Sequence, residues 1–129
     1  MAVRELGRAG ERRAAWFYRL RGYRIVAMNL RLASGEIDIV ARRGTKLVVA
    51  EVKTRQSLSA GEGHAAVDRH KRARLVRLGE QYLASTKARL ALRYDVLSLF
   101  WNGRRFVISH YADAFRPIAD AREPWRWRA

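Results

Sequence analysis

Two apolar, β-branched runs constrain this chain more than any other feature, because each is broken by charge. Gly35-Glu36-Ile37-Asp38-Ile39-Val40 and Val48-Val49-Ala50-Glu51-Val52-Lys53-Thr54-Arg55 both read as buried strands. Charge inside a core is costly unless it is paired or gathered round a cation, so Asp38, Glu51 and Lys53 each need a partner. Side chains alternate along a strand, which puts Glu51 and Lys53 on one face, with Val52 pointing away. Glu36 and Asp38 share a face of the preceding strand in the same way.

Arg43-Gly44-Thr45 is short enough to be a hairpin connection. Counted outward from Gly44, Asp38 stands six residues before it and Glu51 seven after, so the two acids become near neighbours across the ladder. Two carboxylates with an ammonium beside them make a small cation site, and oxygen-only ligands suit Mg²⁺ or Mn²⁺ rather than Zn²⁺. The plainer alternative is a surface pair, Glu51 and Lys53 in a modest salt bridge at a strand end.

The charge balance says what such a site would meet. Lys and Arg number 27 against 12 Asp and Glu, a formal net charge of +15. That excess points to a polyanion, most often nucleic acid, because neutralised phosphates release their counterions. Cysteine is absent, which excludes disulfides and thiolate metal sites. No apolar run approaches the ~20 residues of a membrane span, and the first residues lack the apolar core of a signal peptide. The expectation is a cytoplasmic protein with no membrane partner.

At 129 residues the chain suits one domain. A first helix is expected over Glu5–Arg21, ending at Gly22. Glu11, Ala14, Ala15 and Tyr18 share one of its faces, and the small alanines would let that face approach a sheet and carry Glu11 with it. Strands are expected over Tyr23–Asn29, Glu36–Arg42 and Lys46–Thr54, followed by a mobile loop over Gln56–Gly63. A second helix starting at Ala65 or Asp68 runs to Ser85, and a hairpin of Leu92–Trp101 and Arg105–Tyr111 follows. Lys71, Arg72, Arg74 and Arg77 cluster near the start of that helix, where they oppose the macrodipole. They either track a phosphate backbone or form a solvated face. Arg93 and Asp95 read as a structural ion pair. His64, His70 and His110 fit no triad or zinc spacing. Trp125 and Trp127 with their arginines either stack on bases or belong to a packed or irregular tail.

Asp38 followed by Glu51-Val52-Lys53 resembles the PD-(D/E)xK nuclease motif, with Ile37 in place of the proline. Gly7-Arg8-Ala9-Gly10-Glu11, Ala14-Ala15, Gly22-Tyr23, Asn29, Gly35-Glu36-Ile37-Asp38, Glu51-Val52-Lys53-Thr54-Arg55, Lys71, Arg93-Tyr94-Asp95-Val96 and Ala114-Phe115 together resemble the bacterial YraN family of predicted endonucleases. That family is distantly similar to archaeal Holliday-junction resolvases. The resemblance implies an α/β, restriction-endonuclease-like fold, a mixed central sheet flanked by helices in the order α-β-β-β-α-β-β. The domain would cover residues 1–115, with an irregular tail over 116–129.

The resemblance also implies roles. Asp38 and Glu51 match the metal-binding acids, the backbone carbonyl of Val52 a further ligand, and Lys53 the lysine that positions water or offsets charge. Glu11 matches the helical acid that completes the site, followed by Arg12 as in the resolvases. Arg12, Arg55, Gln56, Lys71, Arg72 and Arg74 are the expected nucleic-acid contacts. The implied activity is Mg²⁺- or Mn²⁺-dependent hydrolysis of DNA, branched or structured DNA included, by a protein able to act as a homodimer. The rivals are a non-catalytic nucleic-acid-binding module on the same scaffold and an RNA-directed nuclease.

Overall fold

In the computed structural model, which describes residues 2–56, 69–116 and the backbone of 126–127, two helices flank one mixed sheet. Helix α1 spans Val3–Arg19 and is followed by β1 (Arg24–Leu32), β2 (Gly35–Arg43) and β3 (Lys46–Arg55). Helix α2 (Arg69–Thr86) then leads to β4 (Ala91–Trp101), β5 (Phe106–Arg116) and the two-residue β6 (Arg126–Trp127). The expected order α-β-β-β-α-β-β is present, with β6 added at its end.

The strands lie in sequence order across the sheet. All neighbours are antiparallel except β3 and β4, which run parallel from Lys46↔Ala91 to Arg55↔Phe100. A parallel pair needs a crossover, and α2 lies within it. Hairpin β2–β3 closes at Arg43↔Lys46, with Gly44 at φ +60 supplying the left-handed backbone of the tight turn.

The sheet is buried on both faces. Leu75, Val76 and Leu78 of α2 pack with Val40, Leu47, Val49 and Val96. Ala14, Ala15, Phe17 and Tyr18 of α1 pack with Ile39, Ala41, Val48 and Ala50. That double burial explains why β3 reads as apolar without alternation. Helix α1 ends as its sequence suggests: Tyr23 N–H reaches Tyr18 O, Gly22 N–H reaches Arg19 O, and Gly22 takes φ +87.

Beyond shifts of one or two residues at other element ends, three differences from the sequence expectation stand out. Strand β1 continues past Asn29 to Leu32, because Asn29 adopts a left-handed φ of 51 within the strand instead of ending it. Strand β5 continues past Tyr111 to Arg116, through an irregularity opposite Asp95 where Asp113 takes φ 53. The stretch from residue 116 is not wholly irregular: Arg116 belongs to β5, and Arg126–Trp127 pair along the open edge that β5 would otherwise present. The loop over 57–63, His64, the helix starts at Ala65 or Asp68, and Trp125 lie outside the described residues, as does the Trp127 side chain.

Candidate metal centre

The site forms where the β2–β3 ladder stops. Their pairing runs from Arg43↔Lys46 to Ile39↔Ala50, and the next residues outward are Asp38 and Glu51. On the other side of β2, the pairs Met28↔Ile39 and Leu30↔Ile37 bracket Asn29 opposite Asp38. Asn29, Asp38 and Glu51 therefore make one polar row across three strands. Burial shifts at the same point: Ile39 packs on the α1 side, whereas Ile37, two residues away, packs on the α2 side. Asp38 occupies this break, and its Oδ2 accepts the Val52 N–H at 2.9 Å.

Glu51 is only 5% exposed and is met by two ammonium groups. Lys53 Nζ lies 3.6 Å from Glu51 Oε1, and Lys71 of α2 contacts the same oxygen. Glu11 arrives from α1, half-buried. With its amide nitrogen turned toward the acids, Asn29 donates to Glu11 Oε2 at 2.8 Å and to Glu36 Oε1 at 3.1 Å. Helix α1 can come this close because of Gly10. A Cβ there would lie 2.3 Å from Thr54 Oγ1, so only glycine fits as the backbones stand.

Gly7, Arg8 and Glu11 of α1 face Asp38, Glu51 and Lys53 across a cleft of about 450 Å³. Burial, and then the charge of Glu51, push the Asp38 carboxyl up to about 8. Burial also raises Glu11, partly offset by the Asn29 bond. Lys53 is lowered by burial and by Lys71 beside it. Lys71 moves the other way: burial disfavours its charge, but its bond to Glu51 prevails. The cleft thus holds acids that repel one another and a lysine that loses its proton more readily than usual. A divalent cation between Asp38 and Glu51 would relieve that repulsion, and the all-oxygen donor set fits Mg²⁺ or Mn²⁺. Among the described residues, no three acids or imidazoles stand ready as a metal-holding group. Asp38 and Glu51 form a pair, and Glu11 is held back by Asn29.

The expected nucleic-acid contacts separate. Arg12 is exposed but does not line the cleft, where Arg8 stands instead. Arg55 and Gln56 end β3 beside the site, half-buried and exposed respectively. Lys71 turns into the acid cluster rather than outward, which explains a basic residue in the first turn of α2. Arg72 of α2 is 9% exposed, so little of it is open to a phosphate. Arg74 is exposed and leans over Gly35, whose added Cβ would meet its Cδ at 3.1 Å. The strand pattern gives no polar role to Asn29, which enters the sequence reading only as one residue of the YraN resemblance.

Asp95 is buried for a different purpose. It is 0% exposed and accepts bonds from Arg93 Nε and Nη2 (both 2.8 Å), Tyr18 Oη (2.8 Å) and Asp113 N–H (2.9 Å), with His110 Nε2 also at 2.8 Å. Burial alone would raise its pKa, but His110, Arg93 and Asp113 together hold it down at about 2. The expected Arg93–Asp95 ion pair is present, as the centre of a closed network.

Residues 10–99 match the family model described as uncharacterised protein family UPF0102. A UPF0102 protein of Caldicellulosiruptor saccharolyticus is 38% identical over 109 residues, covering 84% of this chain and 92% of that protein. One from Paenarthrobacter aurescens is 50% identical over 99 residues, covering 76% and 82%. The protein STH1475 of Symbiobacterium thermophilum is 49% identical over 81 residues, covering 63% and 69%. With the model matching well over half its length and these relatives spanning most of theirs, the chain belongs to the UPF0102 family.

Proposed function

We propose that the protein is a metal-dependent endonuclease of the PD-(D/E)xK type that hydrolyses phosphodiester bonds of DNA, branched or structured DNA included. One observation carries this reading: acids from α1, β2 and β3 converge on one open cleft with Lys53 among them. Asp38 and Glu51 would hold Mg²⁺ or Mn²⁺, with the Val52 carbonyl as the further ligand that the YraN resemblance implies. Such an ion, when bound, supplies Lewis-acid polarisation of the phosphate and a more acidic water.

The chain's own groups do the rest. The Val52 N–H fixes the rotamer of Asp38, and Asn29 aims Glu11. Lys53 places positive charge where negative charge develops on the phosphoryl oxygens. Lys71 orients Glu51 from α2. Arg8 at the cleft, on a chain of net charge +15, draws a phosphate backbone toward the acids. Two such sites in a two-fold dimer would cut both strands of a duplex or junction. No helix among the described residues is long and apolar enough to cross a membrane. A cytoplasmic location goes with the proposed substrate.

Cleavage of linear, single-stranded, flapped and four-way DNA, and of RNA, with Mg²⁺ or Mn²⁺ tests the reading. Asp38→Asn, Glu51→Gln and Lys53→Met should each lose ~10²-fold or more in rate. Equal cleavage by parent and variants would sink the assigned site. The second reading, a non-catalytic binding module, is favoured by the Lys71–Glu51 ion pair, which satisfies the acid without a metal. Tight DNA binding with no cleavage under either metal decides for it.

A further inference from the structure

A second basic surface lies at the far end of the β4–β5 hairpin. Arg13 of α1, with Trp101, Arg105, Phe106 and Val107, lines an open cleft of about 430 Å³, and none of these described lining residues is acidic. The Trp101 and Phe106 rings are in contact, tilted 59° to each other with centroids 5.0 Å apart. Phe106 is anchored beneath, against the α1-side core. Val107 is 48% exposed beside them. The hairpin tip is held rigid: Asn102 Oδ1 accepts both the Arg104 N–H (2.8 Å) and the Arg105 N–H (3.0 Å). Arg13, Arg104 and Arg105 are all exposed around the aromatic pair.

We infer that this surface is a stacking platform for an unpaired base, with Arg13 and Arg105 on the flanking phosphates. Aromatic faces framed by cations, without hydrogen-bonding groups aimed at base edges, favour single-stranded nucleic acid over duplex and bind it with little sequence preference. A protein partner would gain little from three unmatched arginines, whereas a polyanion matches them. The register ties the platform to the proposed active site. Phe100, next to Trp101, pairs with Arg55, at the same end of the sheet toward which β3 carries Glu51 and Lys53. Four residues separate Glu51 from Arg55, ~13 Å at ~3.3 Å each, or about four stacked nucleotides. Resting on the nuclease reading, this deepens it: the substrate carries unpaired nucleotides a few positions from the cut.

Binding in EDTA tests the platform independently of cleavage. Fluorescein-labelled oligodeoxythymidine, oligouridine and a blunt DNA duplex would be titrated against the full chain, Trp101→Leu, Trp101→Phe, and Arg13→Ala with Arg105→Ala. Trp101→Leu should weaken single-strand binding about 10-fold and leave duplex binding unchanged, while Trp101→Phe retains most of the affinity. The double arginine variant should lower the salt slope by about two. The two single strands distinguish DNA from RNA as the occupant. Melting curves matched to the parent establish that the variants fold; if Trp101→Leu does not, the salt slope of the double arginine variant decides, and an unchanged slope overturns the platform. Single-strand affinity unchanged in Trp101→Leu, or equal losses on duplex and single strand, would overturn the platform. Lost cleavage in Asp38→Asn bears only on the nuclease reading, so the two can fail separately.

Discussion

Replacing Asp38 by asparagine should stabilise the metal-free protein at pH 8 and have no effect near pH 4. A free aspartate ionises near ~3.9, whereas burial and then Glu51 push Asp38 up to about 8. The folded state therefore holds this proton more tightly than the unfolded chain. The stability it contributes is complete below ~4 and is lost as pH rises through about 8. A gap of ~4 units at ~1.4 kcal/mol each sets a ceiling of ~6 kcal/mol. Asp38 keeps partial exposure and shares its field with Lys53 and Lys71, so ~2 kcal/mol is the expected gain. Asparagine preserves an acceptor for the Val52 N–H, so the variant removes charge without orphaning that donor.

Urea unfolding of parent and Asp38→Asn in EDTA, at steps from pH 4.5 to 8.5, measures the difference. The variant's advantage should grow with pH to ~2 kcal/mol, equivalent to roughly 5–10 °C in melting temperature. Excess Mg²⁺ should reverse the order, because only the parent gains the ~2.7 kcal/mol of a ligand at 100 times its Kd. A difference independent of pH, or a variant less stable than the parent at pH 8, would refute the assignment of Asp38 as a charge kept by function at the expense of stability.

Gly10→Ala should destabilise by ~1–3 kcal/mol, since its Cβ would meet Thr54 Oγ1 at 2.3 Å; adding Thr54→Ala should recover most of the loss in thermal melts. Tyr18→Phe removes one donor from Asp95 and should cost ~1–2 kcal/mol by urea unfolding, with nuclease activity per folded molecule unchanged. Asp95, held at about 2, contributes stability above ~4 that is lost as pH falls toward 2; Asp95→Asn should flatten the acid limb of the stability curve. Asn29→Ala frees Glu11 and should lower the cleavage rate ~10-fold per folded molecule; it also puts alanine at a left-handed φ and should cost ~1 kcal/mol by urea unfolding.

The strand skeleton was readable because its signals are local. Charge-broken Val and Ile runs, Gly44 in a two-residue turn and Gly22 after α1 each dictate backbone where they stand. The facing of Asp38 and Glu51 followed from counting, because a hairpin fixes register once its turn is known. What escaped was set by distant contacts. Asn29 looked like a strand end, and only the approach of α1 turns it into the holder of Glu11. Lys71 looked like one of four phosphate-tracking cations, and only the crossover of α2 brings it onto Glu51. Strand β5 outran its expected end because Asp113 is bent toward Asp95, eighteen residues away in sequence.

Asp38 and Asp95 are two acids of one sheet with opposite surroundings. Both are aspartates on apolar strands, and β2 and β4 flank the same β3. Burial pushes both upward, yet Asp95 ends at about 2 and Asp38 at about 8. The difference lies in what surrounds them. Arg93, Tyr18, His110 and the Asp113 N–H close around Asp95, which is 0% exposed, and leave no room for a ligand. Asp38 has the Val52 N–H, but it faces Glu51 and opens onto a cleft. A fold that needed only a stable core would replace an acid so placed with an apolar residue. Keeping it, beside a second acid and a lysine of lowered pKa, makes sense when an outside cation completes the cluster. Asp95 is an acid whose partners are all in the chain; under the proposed nuclease reading, Asp38 is one whose remaining partner comes from solution.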